Sequence, residues 1–235
     1  MKIHSKFLVH WTGKDITHEK TPSRLTEEEN TKFLSHFRDI VKNGLLMGMG
    51  TEKIYGRENT SITITIPRVC FTEIKLSQAV GHAQKYGFLG VGFNRKFVLT
   101  RNGNPVFYIQ NGRNGIVIEN LDYLHKYVKN DKQKLRELEV ILGFLKNMSD
   151  KDTYNLTYYD EMEWRILHSD LLEAEERIQK KDGLYYLKFL PKDVRIIVFP
   201  NLIVRKKALK DNWLKENFFD KYIPMMTTVS DCTNF

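Results

Sequence analysis

Residues 61–66 read Ser-Ile-Thr-Ile-Thr-Ile, and this strict alternation predicts a half-buried strand, apolar on one face and polar on the other. Pro67 interrupts the pattern, and residues 68–72, Arg-Val-Cys-Phe-Thr, resume it as a buried strand. Further strands are predicted at 7–12, at 89–93 with 97–100 extending it, at 105–109, through 153–166, at 184–189 and at 194–199. The last, Val-Arg-Ile-Ile-Val-Phe, is apolar enough to be fully buried. Helices are predicted from a Thr26/Glu29 capping box to a stop at Asn43-Gly44, over 76–86, over 121–148, over 171–178 and over 209–218, with an irregular tail to Phe235. The long pattern at 121–148 bends or breaks around 126–134. Strands and helices keep no regular βαβ rhythm. The expected fold is therefore α+β with a mostly antiparallel split sheet, in one domain over 1–235. Its catalytic-like core would span about 5–170, with a C-terminal extension over 171–235.

The formal net charge of +8 permits an anionic partner, nucleic acid or a dinucleotide, without requiring one; solvated lysines account for it equally. Cys70 and Cys232 have no metal-ligand spacing and are too few for a disulfide framework, which fits a reducing cytoplasm. The N-terminal stretch lacks the apolar length of a signal peptide, and no run approaches the ~18 apolar residues of a membrane helix. A cytoplasmic protein away from membranes is expected. Phosphate-loop, dinucleotide-fingerprint, zinc-protease and nucleophile-elbow motifs are all absent. Gly90-Val-Gly92 is too short for any of them and signals close backbone approach. A carboxylate-based enzyme stays open.

The chemistry concentrates at 153–166, where Asp160, Glu161, Glu163 and Arg165 stand among tyrosines and Trp164. On an extended strand, Glu161, Glu163 and Arg165 share one face. Two carboxylates on one face repel, so one needs a raised pKa or a cationic partner, and Arg165 can be that partner. The plainer reading is a solvated strand face with one ion pair. His10 and Thr12 end the first strand, Thr72 ends another, and His82 and Tyr86 lie four apart on a helix. Each alone reads as a packed or hydrogen-bonded residue. Their occurrence together, in this order, gives them weight.

That order resembles the layout of ADP-ribosyltransferases, in which split antiparallel sheets surround a cleft for NAD. The resemblance implies His10 and Thr12 at the adenosine ribose, Asn43, Gly44 and Leu45 at a helix exit, and Phe71 and Thr72 on the nicotinamide side. Thr72 stands where these enzymes commonly carry Ser or Tyr. Glu163 would be the catalytic carboxylate and Glu161 the loop glutamate, with Trp164 in the core behind them and Tyr159 stacking on nicotinamide or the acceptor. His82, Tyr86 and Arg165 complete the expected cofactor-binding set.

A second resemblance is closer in wording. Segments 7–14 (FLVHWTGK), 68–74 (RVCFTEI), 82–93 (HAQKYGFLGVGF), 105–109 (PVFYI) and 159–165 (YDEMEWR) resemble the AbiGi-type abortive-infection family, which carries an antitoxin label. This implies a phage-defence or toxin–antitoxin role with a cognate protein partner. Two functions follow. One is an enzyme that cleaves NAD and transfers ADP-ribose to protein or nucleic acid. The other is a non-catalytic antitoxin that holds a partner protein or RNA. A nuclease or other carboxylate-dependent reaction is a third.

Overall fold

The computed structural model describes residues 7–19, 21–55, 61–73, 75–109, 115–147 and 161–234. In chain order these form β1 (Leu8–Thr12), α1 (Glu27–Asn43), β2 (Leu45–Leu46), β3 (Gly48–Tyr55), β4 (Ser61–Thr72), α2 (Ala79–Tyr86), β5 (Leu89–Phe93), α3 (Arg95–Leu99), β6 (Asn104–Pro105) and β7 (Phe107–Ile109). They continue with α4 (Ile116–Val128), α5 (Lys132–Leu142), β8 (Leu145–Asn147), β9 (Glu163–Leu167), α6 (Asp170–Ala174), β10 (Ile178–Lys181), β11 (Leu184–Leu187), β12 (Val194–Phe199), α7 (Leu202–Lys210), α8 (Asn212–Leu214) and β13 (Met225–Thr228). The main sheet runs β13-β12-β5-β1-β4-β9-β6, with β3 also paired to β4.

The class is α+β, and the sheet is mixed rather than the mostly antiparallel one the sequence suggested. β12 pairs with β13 in parallel, and β7 pairs with β8 in parallel. The connection between β12 and β13 explains the first case. α7 and α8 fill it, and a crossover of that length returns the chain in its original direction. The tail expected to be irregular is thus the edge strand β13. The segment 171–235 supplies two strands of the main sheet, and β12 lies directly against β5.

β4 organises the rest. Pro67 does not break it, because the β9 ladder begins only at Arg68. The Pro67 carbonyl accepts the His168 N–H just past that end, so the proline's missing donor falls outside the ladder. Along one face of β4, Ile62, Ile64 and Ile66 pack with Leu138 and Leu142 of α5 and Ile118 of α4. The same alternation then brings Arg68, Cys70 and Thr72 to that face. The intervening Val69 and Phe71 join the main core. β1 pairs with β5 over its whole length but meets β4 only at Val9↔Thr72. The sheet opens between β1 and β4.

Side-chain caps decide several local differences from expectation. Residues 97–100 are not strand, because Asn94 caps α3 by accepting the Phe97 N–H at 2.8 Å. The 121–148 pattern splits into α4 and α5, with Asp131 accepting the N–H groups of Gln133 and Lys134, and ends in β8. The acidic helix α6 stops at Ala174, and Glu176 turns the chain at φ +56°. Gly90 and Gly92 admit side chains rather than a ligand. A Cβ on Gly90 would lie 2.9 Å from the Trp11 ring, and one on Gly92 2.4 Å from Ile196.

α1 begins at the expected Thr26/Glu29 box and ends at Gly44. Gly44 has φ +96°, and a Cβ there would lie 2.4 Å from the Leu187 carbonyl oxygen. Gly183 has φ +78° with no atom within 4 Å of such a Cβ. Alanine at either position is strained by its backbone, and only Gly44 also meets another chain segment. Gly44→Ala should cost well over ~1 kcal/mol in urea unfolding, and Gly183→Ala distinctly less.

Candidate functional site

The opening between β1 and β4 is a cleft with two lobes. The narrow lobe, of about 200 Å³, has Thr72, Tyr86, Lys146, Glu161, Glu163 and Arg165 around it, with Phe71 and the β1 residues Val9 and Trp11. The wide lobe, of about 700 Å³, is bounded by Thr12, Asp15, His36 and Asp39, and by Asn43, Gly44 and Leu45 where α1 passes into β2. His10, Arg68 and Cys70 line both. Together the lobes have the size of small-molecule sites, ~300–1,000 Å³.

A buried charge network forms the floor of the narrow lobe. Arg165 has no exposed surface, and its Nε donates to Glu163 Oε1 at 2.7 Å. Its Nη2 donates to Glu163 Oε2 at 3.2 Å and to Glu52 Oε1 at 2.7 Å. Its Nη1 donates to the carbonyl of Gly143 at 2.6 Å and, at 3.4 Å, to that of Leu145. Lys146 bridges the two carboxylates, 2.9 Å from Glu161 Oε2 and 2.8 Å from Glu163 Oε2. Glu161 Oε1 also accepts from Lys85 and, at 2.6 Å, from the Tyr86 hydroxyl. Burial opposes the charge on Glu163, but Arg165 and Lys146 outweigh it and hold its carboxyl well below the usual range. Burial and the nearby carboxylates raise the Tyr86 phenol, so it stays a donor.

The neutral groups of the cleft lie on β1, β4 and α1, beside this network. Thr72 donates to the Val9 carbonyl at 3.2 Å and accepts from Trp11 Nε1 at 3.1 Å. His10 Nδ1 lies 2.8 Å from the Cys70 carbonyl oxygen, and burial pushes its pKa down to about 4. That carbonyl fixes the tautomer of the neutral ring with its proton on Nδ1. Thr12 Oγ1 is 2.9 Å from His36 Nε2. Burial, with Glu163 adding, pushes the Cys70 thiol up to about 12.

Of the residues singled out in the sequence, His10, Thr12, Gly44, Leu45, Phe71, Thr72, Tyr86, Glu161, Glu163 and Arg165 all border this cleft. His82 does not; it is buried with its ring 6.3 Å from that of Tyr86. Arg165 borders the lobe, yet its guanidinium is committed to the protein. The ladder of three side chains on one strand also needs correction. β9 begins at Glu163, and Met162 at φ +43° breaks the extended backbone before it. Glu161 reaches the lobe from that turn. Trp164 is half-buried and donates to Glu73 at 2.7 Å, instead of lying in the core behind the carboxylates. Tyr159 and Asp160 lie outside the described residues.

Sequence reasoning missed Lys146, Lys85, Glu52, Arg68 and His36. The repulsion between two carboxylates called for a cation, but nothing local pointed to Lys146, which sits inside an apolar helical pattern. Among the described residues no group of His, Cys, Asp and Glu could hold a metal ion. No helix among them is long and apolar enough to cross a membrane.

Fold and site thus define an α+β protein whose mixed sheet opens between β1 and β4 into a two-lobed cleft over a buried, ion-paired carboxylate pair. The family described as "Putative abortive phage resistance protein AbiGi, antitoxin" matches residues 43–200, more than half of the chain, and the chain belongs to that family. The description is of a phage-defence, antitoxin-type role. No curated protein and no solved structure matches the chain. The match extends to AbiGi and not to ADP-ribosyltransferases. It takes in β4, β8 and β9 of the cleft and excludes β1.

Two outcomes follow from the geometry. Arg165→Met leaves Glu163 with only Lys146 and Glu52 with only Arg68, and removing one partner from this buried network should show in urea unfolding as a loss of ~3 kcal/mol. His10 is held neutral, with its folded pKa below its unfolded one. Its contribution to stability is complete above the ordinary imidazole range and falls away as pH drops from ~6.5 toward about 4. Denaturant midpoints measured across that window should fall for the native chain and fall less steeply for His10→Gln.

Proposed function

We propose that this AbiGi protein binds NAD in the cleft and breaks its nicotinamide–ribose bond, passing ADP-ribose to an acceptor within a phage-defence system. One observation carries the reading. Residues from five separate segments border one cleft, and four of these segments (β1, the α1–β2 junction, β4 and the start of β9) follow the order that first suggested NAD, with Tyr86 of α2 the fifth.

The chemistry suits the groups present. When the bond breaks, nicotinamide leaves with the bonding pair and positive charge develops at ribose C1′, as in glycoside cleavage. A carboxylate kept ionised beside that carbon stabilises the charge more in the transition state than in the ground state. Glu163 has that character, being held well below the usual carboxylate range. The same property makes it a poor general base. Glu161, which accepts from Lys85, Tyr86 and Lys146, is the group that would orient the acceptor while its proton leaves to solvent. Water as acceptor would give free ADP-ribose.

A second reading is a non-catalytic antitoxin that uses the fold to hold a toxin-type protein, and one observation favours it. Glu163 is buried and accepts from Arg165 through both oxygens and from Lys146, which takes three of its four acceptor positions. Under the first reading a ribose hydroxyl has a single acceptor position left to it.

Incubation with NAD labelled in the adenylate half, with and without bacterial lysate, separates the readings. The expected result is nicotinamide release with label on an acceptor or in free ADP-ribose, reduced ~100-fold or more in Glu163→Gln. No nicotinamide release, together with no NAD-induced rise in melting temperature, would leave the binding reading.

A further inference from the structure

The two lobes meet at three side chains, and only one of them is a permanent ion. His10 and Cys70 are neutral at physiological pH, whereas Arg68 is charged. Around it, Glu52, Glu161 and Glu163 stand against Lys85, Lys146 and Arg165. Those six formal charges balance, so Arg68 is the excess positive charge of the network. In the wide lobe the acidic side chains are Asp15 and Asp39, with His36 between them. The cleft therefore runs from a balanced polar floor, past a cation at the passage, to an acidic far lobe. A ligand whose negative charge sits in its middle fits this pattern. One with a terminal phosphate in either lobe does not.

Arg68 is also held in place before any ligand arrives. Its Nη2 donates to Glu52 Oε1 at 2.7 Å. Its guanidinium lies against the backbone of Gly50, where a Cβ would stand 2.2 Å from both Cζ and Nε. Glycine at position 50 is what allows the side chain to lie there. Among the described residues only Nη2 of this guanidinium is engaged, which leaves the N–H groups of Nε and Nη1, on two different edges, to donate to separate anionic oxygens.

We infer that Arg68 is the diphosphate-binding residue of a single site formed by both lobes, and that its ligands are dinucleotides with one nucleoside in each lobe. This rests on the NAD reading and adds to it. The diphosphate, rather than either nucleoside, becomes the main source of affinity. The acidic side chains of the wide lobe are left to accept from ribose hydroxyls or an exocyclic amine of the second nucleoside.

The test is calorimetric titration of the full chain with NAD, ADP-ribose and nicotinamide riboside, the last lacking the diphosphate. Arg68→Gln is the informative variant, because Glu52 keeps Arg165 as a partner at 2.7 Å when Arg68 is lost. It should weaken NAD and ADP-ribose by ~10–100-fold and leave nicotinamide riboside unchanged. Should that variant not fold, Arg68→Lys keeps the charge, loses the guanidinium's Nε and Nη1 donors and makes the same comparison. Equal affinity of native and variant for NAD and ADP-ribose overturns the assignment of Arg68 while leaving the NAD reading intact. Parallel loss of nicotinamide riboside also overturns it, since Arg68 would then be supporting the fold. A native chain that binds none of the three overturns the NAD reading and this inference with it.

Discussion

A buried guanidinium sets the terms for the middle of this structure. Arg165 has no exposed surface, and an uncompensated charge there would cost several kcal/mol. Its donors are met by Glu163 on its own strand, by Glu52 on β3 and by the carbonyls of Gly143 and Leu145 at the α5–β8 junction. Three separate parts of the chain must converge before that charge is tolerable. Their convergence ties the α4–α5 layer to the main sheet and brings Lys146 within reach of Glu161 and Glu163. The floor of the cleft is thus a consequence of satisfying one arginine.

The same arrangement limits what the cleft can do. Its carboxylates are anions held by cations, which suits the stabilisation of positive charge and not the abstraction of protons. His10 is neutral and hydrogen-bonded to a backbone carbonyl, which suits recognition. The hydroxyl, thiol and ring groups that β1 and β4 add beside the carboxylates carry no charge. Groups of this composition keep their own protons in place. The AbiGi match covers the carboxylate side of the cleft and not β1, so the family resemblance and the proposed ligand rest on partly different residues.

Much of the fold was legible because its signals are local. The alternation at 61–66, the Thr26/Glu29 box and the glycine stop at position 44 each act within a few residues, and each element formed where the pattern placed it. Local signals also explain the failures. Asn94 is a short polar cap that outranks the apolar periodicity around it, turning an expected strand into α3, whereas Asp131 caps α5 within the stretch 126–134 where a break was expected. Met162 at φ +43° ended the strand that the Glu-x-Glu spacing had seemed to require.

For the site, the sequence by itself determined which polar residues stood at strand and helix ends, because side-chain direction follows from backbone period. It also determined that two neighbouring carboxylates would demand a cation. Only the tertiary structure decided that Lys146 and Arg165 share that task, that His82 turns away from the cleft, and that Arg68 stands at the passage between the lobes. The reason is that burial and long-range pairing set these outcomes. Lys146 comes from β8, after α5 and well separated in sequence from β4, and the opening that exposes Arg68 exists because β1 meets β4 at a single residue pair. Neither fact is written in any short stretch of the chain.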